Sequence, residues 1–244
     1  MLGRIIAVEF RLRMRELLTP LFALALPLAL LFGFGLVPGA DRPAEGLGGQ
    51  ALTEYMAALG IAVAFAILAL MMMPGVLSDY REKGVLRRMR ATPVRPSALL
   101  LAQLVVNAGA ALVSVATLLA VGTAVFGTAL PRDPAAFAAA ALLCLGALLA
   151  IGALVTAVSP SARAGNALGS LLFFPSLFFA GVYLPYDKMP GPLQRVCDLT
   201  PLGAGLRAMR DAWMGHDVRI SQLAIMALYG LVATVAAARL FRWE

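Results

Sequence analysis

Asp79–Ser97 reads DYREKGVLRRMRATPVRPS and lies between two long apolar runs, residues 55–77 and 98–126. Arg81, Lys83, Arg87, Arg88, Arg90 and Arg95 place six of the chain's twenty Lys and Arg residues within nineteen positions. An apolar run long enough to cross a bilayer, a basic hydrophilic stretch and a second such run are the pattern of two membrane spans joined on one face. The whole chain has the matching composition. Of its 244 residues, 61% are hydrophobic and 14% charged, with a mean hydropathy of +0.87. Soluble domains carry about 25% charged residues, and a chain this apolar lacks the polar surface to cover a water-soluble core. The net charge of +7 would suggest nucleic acid in a soluble protein. Here the basic bias of cytoplasmic loops accounts for it, and no nucleic-acid partner is expected.

A helix rises about 1.5 Å per residue, so crossing ~30 Å of hydrocarbon takes about 20 apolar residues. Six stretches qualify: residues 19–38, 55–77, 98–126, 135–158, 164–184 and 222–238. The first is too long for the apolar region of a signal peptide, so it is read as a retained span. With both termini inside, the inner segments hold thirteen Lys and Arg and the outer segments seven. The inside-basic rule therefore favours this orientation. The expected fold is an all-α membrane protein: one six-span domain over residues 19–244 behind an N-terminal interfacial helix, residues 1–18. In that helix Arg4, Arg11, Arg13 and Arg15 alternate with apolar residues and are expected among anionic headgroups. Pro131 and Pro134 mark a tight outer turn. Between Pro185 and Ser221, the residues Leu193, Val196, Leu199, Leu202, Leu206, Met209 and Trp213 recur at helical spacing. They predict one or two short helices on, or dipping into, the outer face. Cys144 falls in an apolar run and Cys197 in a polar loop, so neither a disulfide nor a metal site is expected.

What the spans lack narrows the function. They contain no Asp, Glu, Lys or His, whereas gradient-driven transporters generally place ionisable groups at membrane depth. The one histidine, His216, lies in the outer segment and cannot build a His-Glu-x-x-His zinc site. Neither lysine, Lys83 or Lys188, ends a Gly-Lys-Ser/Thr phosphate loop, so the chain has no ATP site of its own. Residues 46–50, GLGGQ, are superficially like an ATPase signature but lie in an outer loop with no nucleotide domain around them. A polytopic chain without an energy source, bearing a basic inner loop, points to a transport subunit driven by a separate ATPase.

Residues 82–94, EKGVLRRMRATPV, resemble the loop after the second span of type-2 ABC exporter permeases. That loop runs Glu-x-Gly, then Leu-Arg-Arg-Leu, then Ala/Ser-Thr-Pro. Phe173-Phe174-Pro175 through Gly181-Val182-Tyr183-Leu184-Pro185, Met189-Pro190 and Leu199-Thr200-Pro201-Leu202 look like the same family's fifth span and following outer loop. In tone the chain is most similar to the drug- and antibiotic-resistance branch of daunorubicin-type exporters. The resemblance implies two copies of the permease with two cytoplasmic ABC ATPase subunits, which would hold the ATP and Mg. It implies a bacterial cell membrane and a coupling helix in the 79–97 loop. Glu82, Gly84, Leu86, Arg87, Arg88, Arg90, Thr92 and Pro93 carry that motif. Val85, Leu86 and Met89 suit one apolar stripe of a short helix, and Thr92-Pro93 would end it. A basic loop that only fixes orientation is the competing reading.

The resemblance also places a cargo cavity between the second and fifth spans of paired subunits. Phe65, Met72, Phe173, Phe174 and Phe178 offer aromatic and adaptable apolar surface there, or serve as core. Asn107 and Asn166 are polar groups at depth that either meet cargo or tie helices together. Gly165 and Gly169, four apart, permit close helix approach, either within one copy or at a seam between two. The cargo expected is a lipophilic or amphipathic small molecule. A lipid-linked glycan is the alternative within the family; a passive channel or scaffold is the alternative outside it.

Overall fold

The computed structural model describes residues 2–15, 18–82 and 96–240. The coupling motif from Gly84 through Leu86, Arg87, Arg88, Arg90, Thr92 and Pro93 lies outside the described residues, and only its first residue, Glu82, is placed. Among the described residues the regular structure is helical. In chain order α1 is Leu2–Arg15 and α2 is Leu18–Gly35. Helix α3 runs Leu52–Ala66, passes through a π-helical stretch at Ile67–Met72, and continues as Met73–Glu82. Then come α4, Pro96–Phe126; α5, Pro134–Val158; and α6, Ala162–Phe179. Two short helices, α7 (Gly191–Leu199) and α8 (Pro201–Met214), precede α9, Ile220–Leu240.

The chain's capping residues set several of these ends. Asp133 accepts a hydrogen bond from Ala136 N (2.9 Å) with Pro134 in the first turn of α5, and Ser161 accepts from Ala164 N (3.1 Å) at α6. Thr200 does the same for α8 through Gly203 N (3.2 Å), again before a proline, and Gly215 closes α8 at φ +75°. Each is a short polar side chain meeting the orphan N–H groups of a first turn, with proline where no N–H is needed.

Among the described residues four helices are long and apolar enough to cross a membrane: 52–80, 98–126, 134–158 and 220–240. The apolar part of α2, Ala23–Gly35, is shorter, and α6 begins with the polar residues Arg163 and Asn166. Two helix ends differ from the sequence reading by five residues, the other ends by three or fewer. Helix α3 continues beyond 77 to Glu82, because charged residues end an apolar run without breaking a helix. Helix α6 stops at Phe179, before 184, where the chain turns at Gly181 (φ +90°).

Helix α3 is the hub. Of its apolar window 89% is buried, against 28% for α4 and 17% for α9, whose outward faces are apolar. Helices α2, α4, α5, α6 and α8 all pack on it, and α5 and α9 form the most extensive helix pair. The core is thus a single cluster around Tyr55–Met73, the inner face of α5 and α8. Helix α8 dips fully into the bundle, with Leu202, Leu206, Met209 and Trp213 buried, whereas Val196 and Leu199 of α7 are exposed. Trp213 donates to Ala129 O (2.9 Å), and its backbone carbonyl accepts from Arg132 N (3.2 Å), so α8 fastens the turn between α4 and α5.

Candidate functional site

At the end of the bundle where Glu82 lies, α3 is the helix that leads into residues 83–95. Its last residue, Glu82, is exposed, and its Oε1 accepts a hydrogen bond from Ala162 N at 3.0 Å. Ala162 begins α6, where unpaired N–H groups and the helix dipole favour a carboxylate. The two helices therefore share a joint at the point where the basic segment departs. One turn and more further into the bundle the joint continues as backbone contact. A Cβ on Gly169 would overlap the carbonyl oxygen of Leu70, and one on Gly165 would sit 3.0 Å from Pro74 O. Gly152 of α5 receives Ala69 O in the same way. A π-helical stretch bonds i to i+5 and turns its carbonyls away from the regular ladder, and these glycines accommodate them. Gly165 and Gly169 thus lie against α3 of the same chain. Asn166, exposed, lies over Gly75, where a Cβ would come 2.5 Å from its Oδ1.

Between α2, α3 and α6 is a cavity of about 660 Å³ lined by Ala25, Leu26, Ala29, Ile67, Met71, Met72 and Phe173. Every lining side chain is apolar. Met72 and Phe173, two of the residues singled out for the cargo path, meet there. Phe65 does not join them. It lines a separate cavity of about 370 Å³ between α3, α4 and α5, with Leu119, Pro131 and Phe137. Phe174 and Phe178 point outward from α6, 56% and 38% exposed, with Phe174 edge-to-face on Phe173 at 5.4 Å. Asn107 is buried in α4, where its Nδ2 donates to Gln103 O (2.8 Å) and its Oδ1 has no hydrogen-bond partner among the described residues.

Two polar nodes were not apparent as such in the sequence. At the end of the bundle near Tyr80, the charges of α1 do not all sit among headgroups as expected. Glu9 and Arg13 are each 7% exposed, while Val8, Phe10 and Leu12 face outward. Glu9 accepts from Tyr80 Oη at 3.1 Å and from Gln103 Nε2. Burial lifts the Glu9 carboxyl above its ordinary range, against the hydrogen bond from Tyr80, the charge of Arg13 and the amide of Gln103. The spacing of Glu9 and Arg13, one helical turn apart, was the available signal.

Near the start of α3, Arg210 of α8 is 6% exposed. Its Nε donates to Gln50 Oε1 (2.9 Å) and its Nη2 to Leu47 O (3.0 Å). Asp187 Oδ2 lies at 3.5 Å, and the guanidinium sits 4.6 Å from the centre of the Tyr55 ring. The loop 46–50 is thereby pinned to α8. Arg210→Met should leave Gln50 and the Leu47 carbonyl without their buried donor. The expected cost is about 2–4 kcal/mol, read as a lower thermal midpoint in detergent; Arg195→Met, outside the node, should leave the midpoint unmoved.

Cys197 is not in an exposed polar loop: it is 1% exposed in α7, with its Sγ 3.3 Å from Met189 Sδ. Burial pushes its thiol above the ordinary range, with Asp198 adding in the same direction. Cys144 is fully buried in α5. Both thiols should resist maleimide in the folded protein and label together on denaturation; rapid native labelling of either would contradict this packing.

No protein of curated function matches the chain. Residues 2–214, from α1 to the end of α8, match the family model described as ABC-2 type transporter, and the chain belongs to that family as a membrane-embedded transport permease.

Proposed function

We propose that the chain is the membrane-spanning subunit of an ATP-driven exporter of hydrophobic or amphipathic small molecules. Permeases of the ABC-2 family normally work with an ABC ATPase subunit. In this reading two copies pair with two such ATPases, which supply ATP and Mg, in a bacterial cell membrane. The chain crosses six times, with α2 and α6 completing the four longer spans, and both termini lie in the cytoplasm. The 79–97 loop docks on the ATPase.

The observation that carries the reading is the joint between Glu82 and Ala162. Force delivered to the loop reaches the inner end of α3 and passes directly to α6. Helix α6 carries Phe173, a wall of the larger cavity, so a tilt of α6 changes that cavity's shape. The wholly apolar lining favours lipophilic cargo over a glycan, whose hydroxyls would be buried there without partners. The outward face of α6, with Leu171, Phe174 and Phe178 exposed, supplies an apolar surface for a second copy.

Reconstitution tests the whole reading. The permease, co-reconstituted with a candidate ABC ATPase, is expected to expel rhodamine 6G only when ATP is present. Permease alone is expected to neither hydrolyse ATP nor move the dye uphill. Uphill movement by the permease alone would defeat the proposal, as would dye flux indifferent to ATP in the complex.

A further inference from the structure

A second attachment holds the same end of α3 from the opposite side. Glu9 and Arg13 lie on the inward face of α1, and Gln103 of α4 is 1% exposed. The Glu9 carboxylate accepts from Tyr80 Oη, two residues before Glu82, and from the Gln103 amide. Arg13 Nη2 donates to Gln103 Oε1 (3.4 Å), and its Nη1 lies 3.8 Å from Met72 Sδ. Charges taken out of water are tolerated only when paired and hydrogen-bonded. Such a socket fixes which face of α1 meets the bundle and at what height. Rotating α1 would place Glu9 and Arg13 in an apolar environment and break the hydrogen bonds of Tyr80 and Gln103. The outward Val8, Phe10 and Leu12 impose no comparable register.

Tyr80 and Glu82 thus tie one helix end to α1 and to α6 respectively. Without the α1 attachment, a load on the loop would swing the last turns of α3 aside. With it, those turns act against a fixed point, and the load is passed into α6.

We propose that Glu9 is a positioning residue for energy coupling, anchoring the inner end of α3 through Tyr80. This inference rests on the assignment of the 79–97 loop as the ATPase dock. The test uses the full complex, rhodamine 6G as cargo, and the ratio of dye expelled to ATP hydrolysed. Glu9→Leu, which keeps the bulk and removes both acceptors, is expected to lower that ratio about tenfold, the scale of one hydrogen bond to a charged group. ATP turnover should stay within about twofold of wild type. Glu9→Gln, which keeps an acceptor oxygen, should restore most of the ratio. Tyr80→Phe should match Glu9→Leu, and the double variant should be no worse than either, as for two ends of one interaction.

A purely structural role predicts another pattern: less folded complex, with dye flux and ATP turnover reduced together and their ratio unchanged. That result would overturn the inference. Where Glu9→Leu fails to accumulate, Tyr80→Phe carries the test alone, since it removes one hydroxyl and no packing volume. Arg87→Glu with Arg88→Glu, assayed in parallel, separates the two levels of the argument. If that pair lowers the ratio and the Glu9 and Tyr80 variants do not, the positioning role fails and the dock stands. If the pair has no effect, the dock fails and the positioning role fails with it.

Discussion

Arg87→Glu combined with Arg88→Glu is expected to leave the permease inserted and folded while abolishing ATP-driven efflux. The two substitutions change the local charge by four in a segment whose function, on the reading above, is to meet another protein. Truncating one partner of a buried charge pair at an interface costs about 2–5 kcal/mol, and reversal adds repulsion. Docking should weaken by at least about thirtyfold. Insertion should survive, because the inner segments would still hold eleven basic residues against seven outside, and orientation follows that bias. Dye efflux per ATP, ATP turnover and the sidedness of a labelled cysteine near residue 90 together give the answer. Efflux like that of wild type in a correctly oriented double variant would show that the loop serves topology alone.

The apolar runs that form the four helices long enough to cross a membrane were readable from hydropathy, since a run of that length has a local cause; the caps at Asp133, Ser161 and Thr200 were not part of that reading. Phe65 shows where the sequence reading failed. The resemblance grouped Phe65 with Met72 on the cargo path, and seven residues apart on a regular helix the two would fall within about 20° of each other. The π-helical stretch at Ile67–Met72 under-rotates the chain and sends the two side chains into different cavities. No residue between 66 and 73 announces it; the contacts made with Gly152 and Gly169 belong to the assembled bundle.

Charges were misread for a related reason. Counting Arg13 and Arg210 as topological charges addresses insertion alone. It says nothing about which way a short helix turns once it meets Gln103 or Gln50. The coupling motif is the converse case. Its residue pattern was legible through its resemblance to a family loop, and Glu82 is the one member whose contact, with Ala162 N, can be described.

Gly169→Ala should be among the most damaging single-methyl changes in the chain. Its Cβ would overlap the Leu70 carbonyl oxygen, which is backbone and cannot rotate away as a side-chain tip can. Helix α6 must withdraw from α3, or the π-helical stretch must rewind, and overpacking of this kind costs about 1–3 kcal/mol or somewhat more. Gly152→Ala meets Ala69 O in the same manner from α5 and should behave alike. Both variants press on one stretch of α3, so their double variant should fall short of additivity. Gly165→Ala, 3.0 Å from Pro74 O and from Ser78 Oγ, should be milder. Gly109→Ala and Gly146→Ala would meet no atom within 4 Å; exchanging glycine for alanine in a helix there should be neutral or raise stability by about 0.5–1 kcal/mol. Thermal midpoints in detergent therefore order these variants by the distance to the opposing backbone. The coupling ratio adds an independent reading: withdrawing α6 from α3 lengthens the route from the loop to Phe173, so whatever Gly169→Ala protein survives should hydrolyse ATP with less dye expelled. Equal midpoints for Gly169→Ala and Gly109→Ala would mean that α3 and α6 are not joined through their backbones. The route from loop to cavity would then have to run elsewhere.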